Sequence, residues 1–198
     1  MREVDLEISA RESVAIVGPS GAGKSTLLAL LAGLDTLSAG HIWLAGEELS
    51  TLDEDGRARL RAAHVGFVFQ SFHLVPSLTA LENVMLPLEL RGQGDARMRA
   101  TNMLERVGLA NRAGHYPRQL SGGEQQRVAM ARASVGQPTV LFADEPTGNL
   151  DSVTGERIIE LFFELNADVQ TTLVLVTHDR ALAERCGRVL TMDGGALV

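Results

Sequence analysis

The sequence GPSGAGKS, residues 18–25, decides the fold of this chain. The apolar run VAIV at residues 14–17 before it is typical of a buried parallel strand, and residues 24–34 after it predict a helix. Glycines let a backbone turn tightly and approach a ligand closely, while the free N–H groups at the start of a helix attract anions. The stretch therefore predicts a phosphate-binding loop between a strand and a helix.

This stretch matches the P-loop pattern in full, and its residue types explain how such a loop holds a nucleoside triphosphate. Lys24 is long enough to reach the β- and γ-phosphates, and the hydroxyl of Ser25 is a ligand for Mg²⁺. A glycine-rich turn without a ligand is the alternative, and the complete pattern between a strand and a helix argues against it. The predicted nucleotide-binding residues of the loop are Gly18, Pro19, Ser20, Gly21, Ala22, Gly23, Lys24, Ser25 and Thr26.

Polar residues also follow other predicted strands, and the carboxyl ends of parallel strands meet at the edge of a sheet where ligands bind. Asp144 and Glu145 follow one such strand, so we expect Asp144 to hold Mg²⁺ and Glu145 to orient or deprotonate the attacking water. We expect His178 to contact the γ-phosphate, and Gln70 to contact Mg²⁺ or the attacking water. Each of these residues alone is typical of a solvated turn or a core position, and the P-loop at the same edge favours the functional interpretation.

The composition limits what else the protein does. The chain has 198 residues and a net charge of −7, with 45% hydrophobic and 22% charged residues, as in an ordinary globular protein. The acidic balance argues against nucleic acid as a partner, because phosphate binding depends on Lys and Arg. Cys186 is the only cysteine, which excludes an intrachain disulfide. No apolar run approaches the ~18 residues of a membrane span, so we expect any membrane connection to run through a partner protein.

Strands alternate with helices near both ends of the chain, which predicts parallel βαβ units around a helical insertion. We predict a single domain over residues 1–198, with a core at about residues 1–70 and 134–198 and a helical subdomain at about residues 71–133. The turn signal at residues 193–195 predicts a hairpin. The other predicted strands cover residues 41–44, 64–69, 140–143, 173–176 and 188–192, and further helices cover residues 77–91, 95–107 and 153–166.

The stretch LSGGEQQR, residues 120–127, opens a helix that is predicted to run to about residue 133. Ser121 and Glu124 have the spacing of a capping box, so a well-capped helix is one interpretation. Gly122 and Gly123 each weaken a helix by about 1 kcal/mol relative to Ala, which capping alone does not require. They favour a second helix start at which the backbone approaches a phosphate closely.

These motifs together resemble the ATP-binding subunit of an ABC transporter, and the resemblance covers essentially the whole chain. It implies a P-loop NTPase fold of the α/β class: a RecA-like, mostly parallel sheet with a small antiparallel β arm and an inserted helical subdomain. Three stretches, at residues 67–72, 78–84 and 143–151, are similar to the lipoprotein-release and macrolide-export branch (LolD and MacB type), and most of all to its YbbA-type subunits. The motifs that carry the family resemblance are the P-loop, Gln70 of the Q-loop, the signature at residues 120–125, the second nucleotide motif at residues 140–145, the D-loop at residues 148–151 and the switch histidine His178.

The resemblance implies a head-to-tail homodimer with ATP and Mg²⁺ as cofactors. Each ATP lies between Lys24 of one protomer and the signature residues of the other, while Asp151 belongs to the D-loop. Such subunits pair with a membrane permease, which is expected to dock near the Q-loop. The implied signature contacts to the neighbour's ATP are Ser121, Gly122, Gly123 and Gln125, the implied Mg²⁺ ligands are Ser25, Gln70 and Asp144, and the implied docking patch is Phe72, Leu74, Val75 and Pro76. Ordinary core of the helical subdomain is the alternative for the last four residues.

The chain departs from the family pattern before the P-loop, because residues 1–17 contain no Phe, Tyr or Trp. The resemblance implies a further upstream strand with an aromatic residue that stacks on adenine. We therefore expect this chain to be shortened at its N-terminus, to bind ATP more weakly than a version with that strand, and to discriminate poorly between ATP and GTP.

The main hypothesis is an ATP-hydrolysing motor subunit at the cytoplasmic face of the inner membrane, peripheral through its permease. A soluble ABC ATPase of DNA repair normally carries a coiled coil or a zinc module before the signature, and the insert here has neither sustained heptads nor zinc-binding cysteines. A tandem translation-type protein needs a second P-loop. A regulatory module without catalysis is the remaining alternative, and the presence of Glu145 and His178 argues against it.

Overall fold

The computed structural model describes residue 1 and residues 3–198, without the side chains of residues 168 and 169. Its strands are β1 (Ser13–Val17), β2 (Trp43–Leu44), β3 (Glu47–Glu48), β4 (Val65–Val68), β5 (Val140–Asp144), β6 (Thr172–Val176), β7 (Arg188–Asp193) and β8 (Ala196–Leu197). Its helices are α1 (Lys24–Leu31), α2 (Glu54–His64), α3 (Ala80–Leu90), α4 (Ala96–Arg106), α5 (Gly122–Ser134), α6 (Ser152–Val169) and α7 (Arg180–Ala183).

The chain forms two compact units. The first unit consists of Met1–Val65, Thr139–Glu145 and Thr171–Val198, and the second consists of Gly66–Pro138 and Pro146–Gln170. The predicted division into a catalytic core and a helical subdomain stays a prediction, because compactness alone does not assign a role to either unit.

The first unit is built on a mostly parallel sheet, as the sequence predicts. Its strands pair in the order β5–β6–β1–β7–β8, and only β8, which pairs with β7 across the predicted hairpin turn, is antiparallel within this set. Ile16 lies opposite Val176 on one side and Leu190 on the other. Because β1, β5 and β6 run in parallel, their carboxyl ends lie at one edge. The short strands β2 and β3 form a separate antiparallel arm.

Apolar residues explain why the first unit folds around β1. Val14, Ala15 and Ile16 are fully buried, and every residue of β6 is buried as well. Continuous apolar runs of this kind fit strands that are covered on both faces, which is the usual environment of parallel strands. Leu27 and Leu28 of α1 are also buried, and α1 packs against β5 and β6. The core therefore fixes the position of the loop that joins β1 to α1.

The second unit is helical, and α5 lies at its centre in contact with α3, α4 and α6. Helix α3 begins at Ala80 rather than at the predicted residue 77. Thr79 and Glu82 explain the difference, because their capping box accepts both N–H groups, with the Thr79 N–H lying 2.8 Å from Glu82 Oε2 and the Glu82 N–H lying 3.3 Å from Thr79 Oγ1. Within the described part of the chain, no helix has the length and the apolar composition that crossing a lipid bilayer requires.

Other elements differ from the sequence predictions. Helix α2 was not predicted, since its sequence EDGRARLRAAH is charged and buries only Gly56 and Leu60 among its residues. Its start is fixed by Asp53, whose Oδ1 accepts the N–H of Gly56 at 2.7 Å. Helix α1 ends at Leu31 rather than at residue 34, and the strand predicted at residues 41–44 is reduced to β2. Gly33 follows α1 with a φ of 67°, a conformation that ends a helix.

Asn83 of α3 is fully buried, and hydrogen bonds satisfy its side-chain amide. Its Oδ1 accepts the N–H of Val75 at 2.8 Å, and its Nδ2 donates to the carbonyl oxygens of Leu78 and Thr79 at 3.0 Å each. A third carbonyl, that of Val75, lies 3.2 Å from the same nitrogen. One side chain thereby holds the irregular segment before α3 against the helix.

We expect Asn83→Ala to lower the free energy of unfolding by about 2–4 kcal/mol, because partly buried backbone groups lose their observed side-chain partner and the buried side chain leaves a gap. Denaturant unfolding measures this change. Asn102→Ala is the matched control, since Asn102 is exposed on α4 and its loss is expected to change stability by no more than about 0.5 kcal/mol. Equal losses in the two variants would contradict the assigned role of Asn83.

Candidate functional site

The loop between β1 and α1 depends on a glycine at position 18. Gly18 has a φ of 153°, and a Cβ atom placed there would lie 2.1 Å from the carbonyl oxygen of Met192 in β7. No heavy-atom contact of that length is tolerated, so the close approach of the loop to β7 requires a residue without a side chain. The N–H of Gly195 also donates to the carbonyl of Ala22 at 3.1 Å, which ties the loop to the turn after β7.

We expect Gly18→Ala to lower the free energy of unfolding by about 3 kcal/mol or more, because its Cβ would force the loop away from β7. The thermal or denaturant midpoint of the full chain measures this effect. In the control variant Gly94→Ala the added Cβ would meet nothing within 4 Å, so stability is expected to change little. An unchanged midpoint in Gly18→Ala would show that the loop adapts without cost.

The start of α1 is well placed to bind an anion. Its N-cap Gly23 offers no side-chain cap, and its first turn contains no acidic residue, so the free N–H groups stay open to a ligand. Ser25 and Thr26 lie in this first turn. The Nζ of Lys24 donates to the carbonyl oxygens of Gly18 and Pro19 at 2.9 and 3.0 Å, so the ammonium group is held over its own loop.

Glu145 and His178 form a direct contact at the carboxyl edge of the parallel sheet. Glu145 Oε1 lies 2.8 Å from His178 Nδ1, and the Glu145 N–H donates to the carbonyl of Val176 at 2.9 Å. The backbone of Glu145 has a φ of 46°, a left-handed conformation that is unfavourable for a residue with a side chain and that is common at functional sites. The His178 side chain is 73% exposed and that of Glu145 is 16% exposed, so the pair has one open side.

Asp144, at the end of β5, has a buried Oδ1 without a hydrogen-bond partner among the described residues. A buried carboxylate oxygen of this kind is costly unless a cation or a water binds it. Oxygen ligands are those that Mg²⁺ prefers, so Asp144 fits the predicted metal role. The described residues contain no group of three or more His, Cys, Asp or Glu side chains that could hold a metal. Mg²⁺ commonly binds one or two protein groups together with substrate phosphates, which is the arrangement that these residues suit.

In the second unit, the predicted signature residues form the start of α5. Ser121 is the N-cap, its Oγ accepts the N–H of Glu124 at 3.3 Å, and Glu124 Oε2 accepts the N–H of Ser121 at 2.8 Å. The capping-box interpretation of this stretch is therefore correct. The backbone hydrogen bond from Ser121 is the largest influence that lowers the pKa of Glu124, with Arg112 contributing less. The ionised Glu124 accordingly stabilises the fold at pH values above the ordinary pKa of Glu. This stabilisation is lost as the pH falls through the lowered pKa of Glu124.

Packing explains one of the two signature glycines. A Cβ atom at Gly123 would lie 2.6 Å from Thr154 Cγ2 of α6, so the contact between α5 and α6 already requires glycine there. Packing therefore accounts for Gly123 without a ligand, and its predicted contact with a phosphate stays a prediction. A Cβ at Gly122 would make only ordinary contacts, the nearest at 3.4 Å to Leu150 Cδ2, so packing does not explain this second glycine.

Gln70 lies beside the predicted D-loop, within the second unit. A Cβ at Gly148 would lie 2.7 Å from Gln70 Nε2, and Asn149 Nδ2 donates to the carbonyl of Gln70 at 2.9 Å. Asp151 is the N-cap of α6, where its Oδ1 accepts the N–H of Thr154 at 3.0 Å. Hydrogen bonding to Thr154 lowers the pKa of Asp151.

The structure thus places the predicted residues in two groups. The first unit holds the P-loop, Asp144, Glu145 and His178, and the second unit holds Gln70, the signature residues and Asp151. Gln125 of the signature donates from Nε2 to the carbonyl of Leu120, five residues earlier in the same chain, at 3.1 Å. The sequence analysis missed Gln126, which is fully buried and donates to the Pro146 carbonyl at 2.6 Å. Its polar neighbours Glu124, Gln125 and Arg127 give no signal in the sequence that this one side chain is buried.

Known proteins of one family are similar to this chain. The sequence profile of the ABC transporter family matches residues 1–148. The ABC transporter ATP-binding protein YbbA of Escherichia coli K12 is 58% identical over 196 residues, which cover 98% of this chain and 86% of that protein. The lipoprotein-releasing system ATP-binding protein LolD of Pseudomonas syringae pv. tomato is 54% identical over 197 residues, covering 98% and 87%.

A solved structure gives the same result in three dimensions. The ATP-binding cassette MJ0796, determined as a dimer in a post-hydrolysis state bound to ADP and Pi, superposes with a TM-score of 0.90 at 43% identity and covers 98% of this chain and 86% of that one. The fold and the site define an ATP-binding cassette of the P-loop NTPase class. The chain belongs to the ABC transporter family, which confirms both the predicted family and the predicted fold.

Proposed function

We propose that this chain is the ATP-hydrolysing motor subunit of a membrane transport or envelope-remodelling complex. The observation that carries the proposal is the contact of 2.8 Å between Glu145 and His178, at the sheet edge that also carries the P-loop. A carboxylate of this kind acts as the base for the attacking water, and its histidine partner orients it. Membership of an ATP-binding family and a structural neighbour bound to ADP and Pi support hydrolysis as the reaction.

The roles of the other residues follow from their chemistry. The residues from Gly18 to Thr26 bind the phosphates through backbone N–H groups, Lys24 neutralises their charge, and His178 contacts the γ-phosphate. Ser25 and Asp144 would hold Mg²⁺, which supplies charge neutralisation on the phosphates when it is bound, and Gln70 stays a predicted ligand from the second unit.

We also propose a head-to-tail homodimer as the working form, in which the start of α5 serves the ATP of the neighbouring protomer. The dimeric state of the cassette MJ0796 supports this arrangement. Packing does not explain why position 122 is a glycine, and this supports a ligand beside the start of α5. In this arrangement Ser121, Gly122, Gly123 and Gln125 face the neighbour's ATP, and Asp151 lies at the dimer contact.

The membrane partner is a permease, and its docking patch is the segment after Gln70. The name of the relative LolD, an ATP-binding protein of a lipoprotein-releasing system, supports such a partner. Phe72, Leu74 and Val75 are half-buried and Pro76 is exposed, whereas core residues of the helical subdomain would be buried. Through this partner the subunit would lie at the cytoplasmic face of the inner membrane.

Phosphate release from ATP tests the proposal. The purified full chain, with Mg²⁺ and ATP, is expected to release phosphate, and EDTA is expected to stop the release. A chain that binds ATP without any release would favour the regulatory-module alternative. Recovery of the chain from solubilised membranes, followed by mass spectrometric identification of a co-purified permease, tests the partner separately.

A further inference from the structure

The segment that follows Gln70 adopts an unfavourable backbone conformation. Phe72 and His73 are consecutive residues with φ angles of 59° and 47°, in the left-handed region that residues with side chains rarely occupy. A conformation of this kind persists only when the surrounding structure holds it in place. The contacts that hold these two residues therefore decide the shape of the segment.

Arg132, in the last turn of α5, supplies the main polar contacts. Its Nη1 donates to the carbonyl of His73 at 2.7 Å, and its Nη2 donates to the carbonyl of Phe72 at 3.0 Å. A guanidinium group presents its donors as a rigid fork, which suits two successive carbonyl oxygens in one fixed arrangement. Among the described residues no carboxylate forms a salt bridge with Arg132, and partial burial lowers the pKa of its guanidinium. The partly buried charge therefore lies against these two carbonyl dipoles.

The start of the same helix also lies close to Phe72. A Cβ at Gly122, in the first turn of α5, would lie 3.8 Å from the Cζ atom of Phe72. The ring of Phe72 therefore lies near the first turn of α5, and its carbonyl accepts a hydrogen bond from Arg132 in the last turn. The carbonyl of Gln70 is held in turn by Asn149, as described above.

We propose that Arg132 is a positioning residue that fixes the segment after Gln70 to the signature helix, so that the two motifs move as one body. The proposal rests on the proposed function of Gln70 and the signature in ATP hydrolysis. Because both hydrogen bonds come from one side chain of α5, a displacement of this helix is passed through Arg132 to Phe72 and His73. Arg132 touches neither the nucleotide nor the reacting water in this scheme, and its effect on turnover is indirect.

Three variants of the full chain test the proposal. Arg132→Met removes the charge and the fork while keeping most of the side-chain length. Arg132→Lys keeps the charge but lacks the fork, so it is expected to rescue only part of the effect. Arg99→Met is the matched control, because Arg99 also donates to a backbone carbonyl at the end of α5, that of Val135 at 2.7 Å. Its other hydrogen bond among the described residues goes to Gln93, outside the Gln70 segment.

Hydrogen exchange and steady-state kinetics give separate readouts. Arg132→Met is expected to speed amide exchange at residues 71–76 by roughly tenfold or more, as the loss of hydrogen bonds from a charged donor predicts. The kcat for ATP is expected to fall on the order of ten- to a hundredfold through misplacement of the Gln70 segment, with KM and ATP binding nearly unchanged. Arg99→Met is expected to change neither the exchange of this segment nor kcat.

The outcomes separate this proposal from the proposed function. Unchanged exchange at residues 71–76 in Arg132→Met would overturn it, as would faster exchange with an unchanged kcat. An equal fall of kcat in Arg99→Met would also overturn it, because the effect would then come from general destabilisation. A wild-type chain without ATP hydrolysis would refute the proposed function, and the exchange measurement would still decide whether Arg132 fixes the segment.

Discussion

The variant Glu145→Gln is expected to lose ATP hydrolysis by about 10²–10⁴-fold while keeping ATP binding close to that of the wild type. The substitution removes the carboxylate that accepts a proton from water. The phosphates are held elsewhere, by Lys24 and the N–H groups at the start of α1. Shape and volume at position 145 stay nearly the same, so the contact with His178 and the fold are expected to persist.

Phosphate release and binding of a fluorescent ATP analogue measure the two properties separately. Glu184→Gln is the matched control, since Glu184 is an exposed glutamate of the first unit at the end of α7. That control is expected to hydrolyse ATP at the wild-type rate. If Glu145→Gln retained more than about a third of the wild-type activity, the role of Glu145 as general base would be wrong.

The second large effect is expected for Ser121→Arg, which should abolish ATP-driven dimerisation while leaving nucleotide binding to the monomer intact. In the proposed dimer the long side chain would crowd the γ-phosphate of the neighbour's ATP. The P-loop is not altered, so each monomer still binds its own nucleotide. Light scattering in the Glu145→Gln background, with ATP and Mg²⁺, measures the dimer.

A second capped helix supplies the control for this experiment. Thr79→Arg removes the equivalent N-cap of α3. Both variants are therefore expected to lose about 1 kcal/mol of helix stability, but only Ser121→Arg changes the signature. Thr79→Arg is expected to dimerise like the parent protein. A dimer that persists in Ser121→Arg would mean that Ser121 serves only as a helix cap.

Local patterns account for what the sequence predicted well. The P-loop, the buried strands and the polar residues Asp144, Glu145 and His178 at strand ends are each defined by a few neighbouring residues. The spacing of apolar residues and short glycine-containing motifs predict such features directly. The pattern predicted that Glu145 and His178 share one sheet edge, because parallel strands bring their carboxyl ends together, but it did not predict their direct contact.

Features that depend on residues far apart in the chain were not predictable. Helix α2 lacks an apolar stripe and is secured by contacts such as the one from Arg61 to the Gly33 carbonyl. The need for glycine at position 123 comes from Thr154, and the contact of Arg132 with Phe72 joins residues separated by most of the helical insertion. Pattern analysis in a short window contains no information about such partners.

The position of β1 in the sheet has a consequence for folding during synthesis. Both strands that flank β1 come from the last part of the chain, since Ser13 pairs with Leu173 and Val14 with Arg188. A ribosome must therefore translate every residue between β1 and β6 before β1 finds either neighbour, and Met192, whose carbonyl lies against Gly18, is made later still. Pairings this distant in sequence form slowly, and until then the apolar β1 stays open to aggregation and to chaperones.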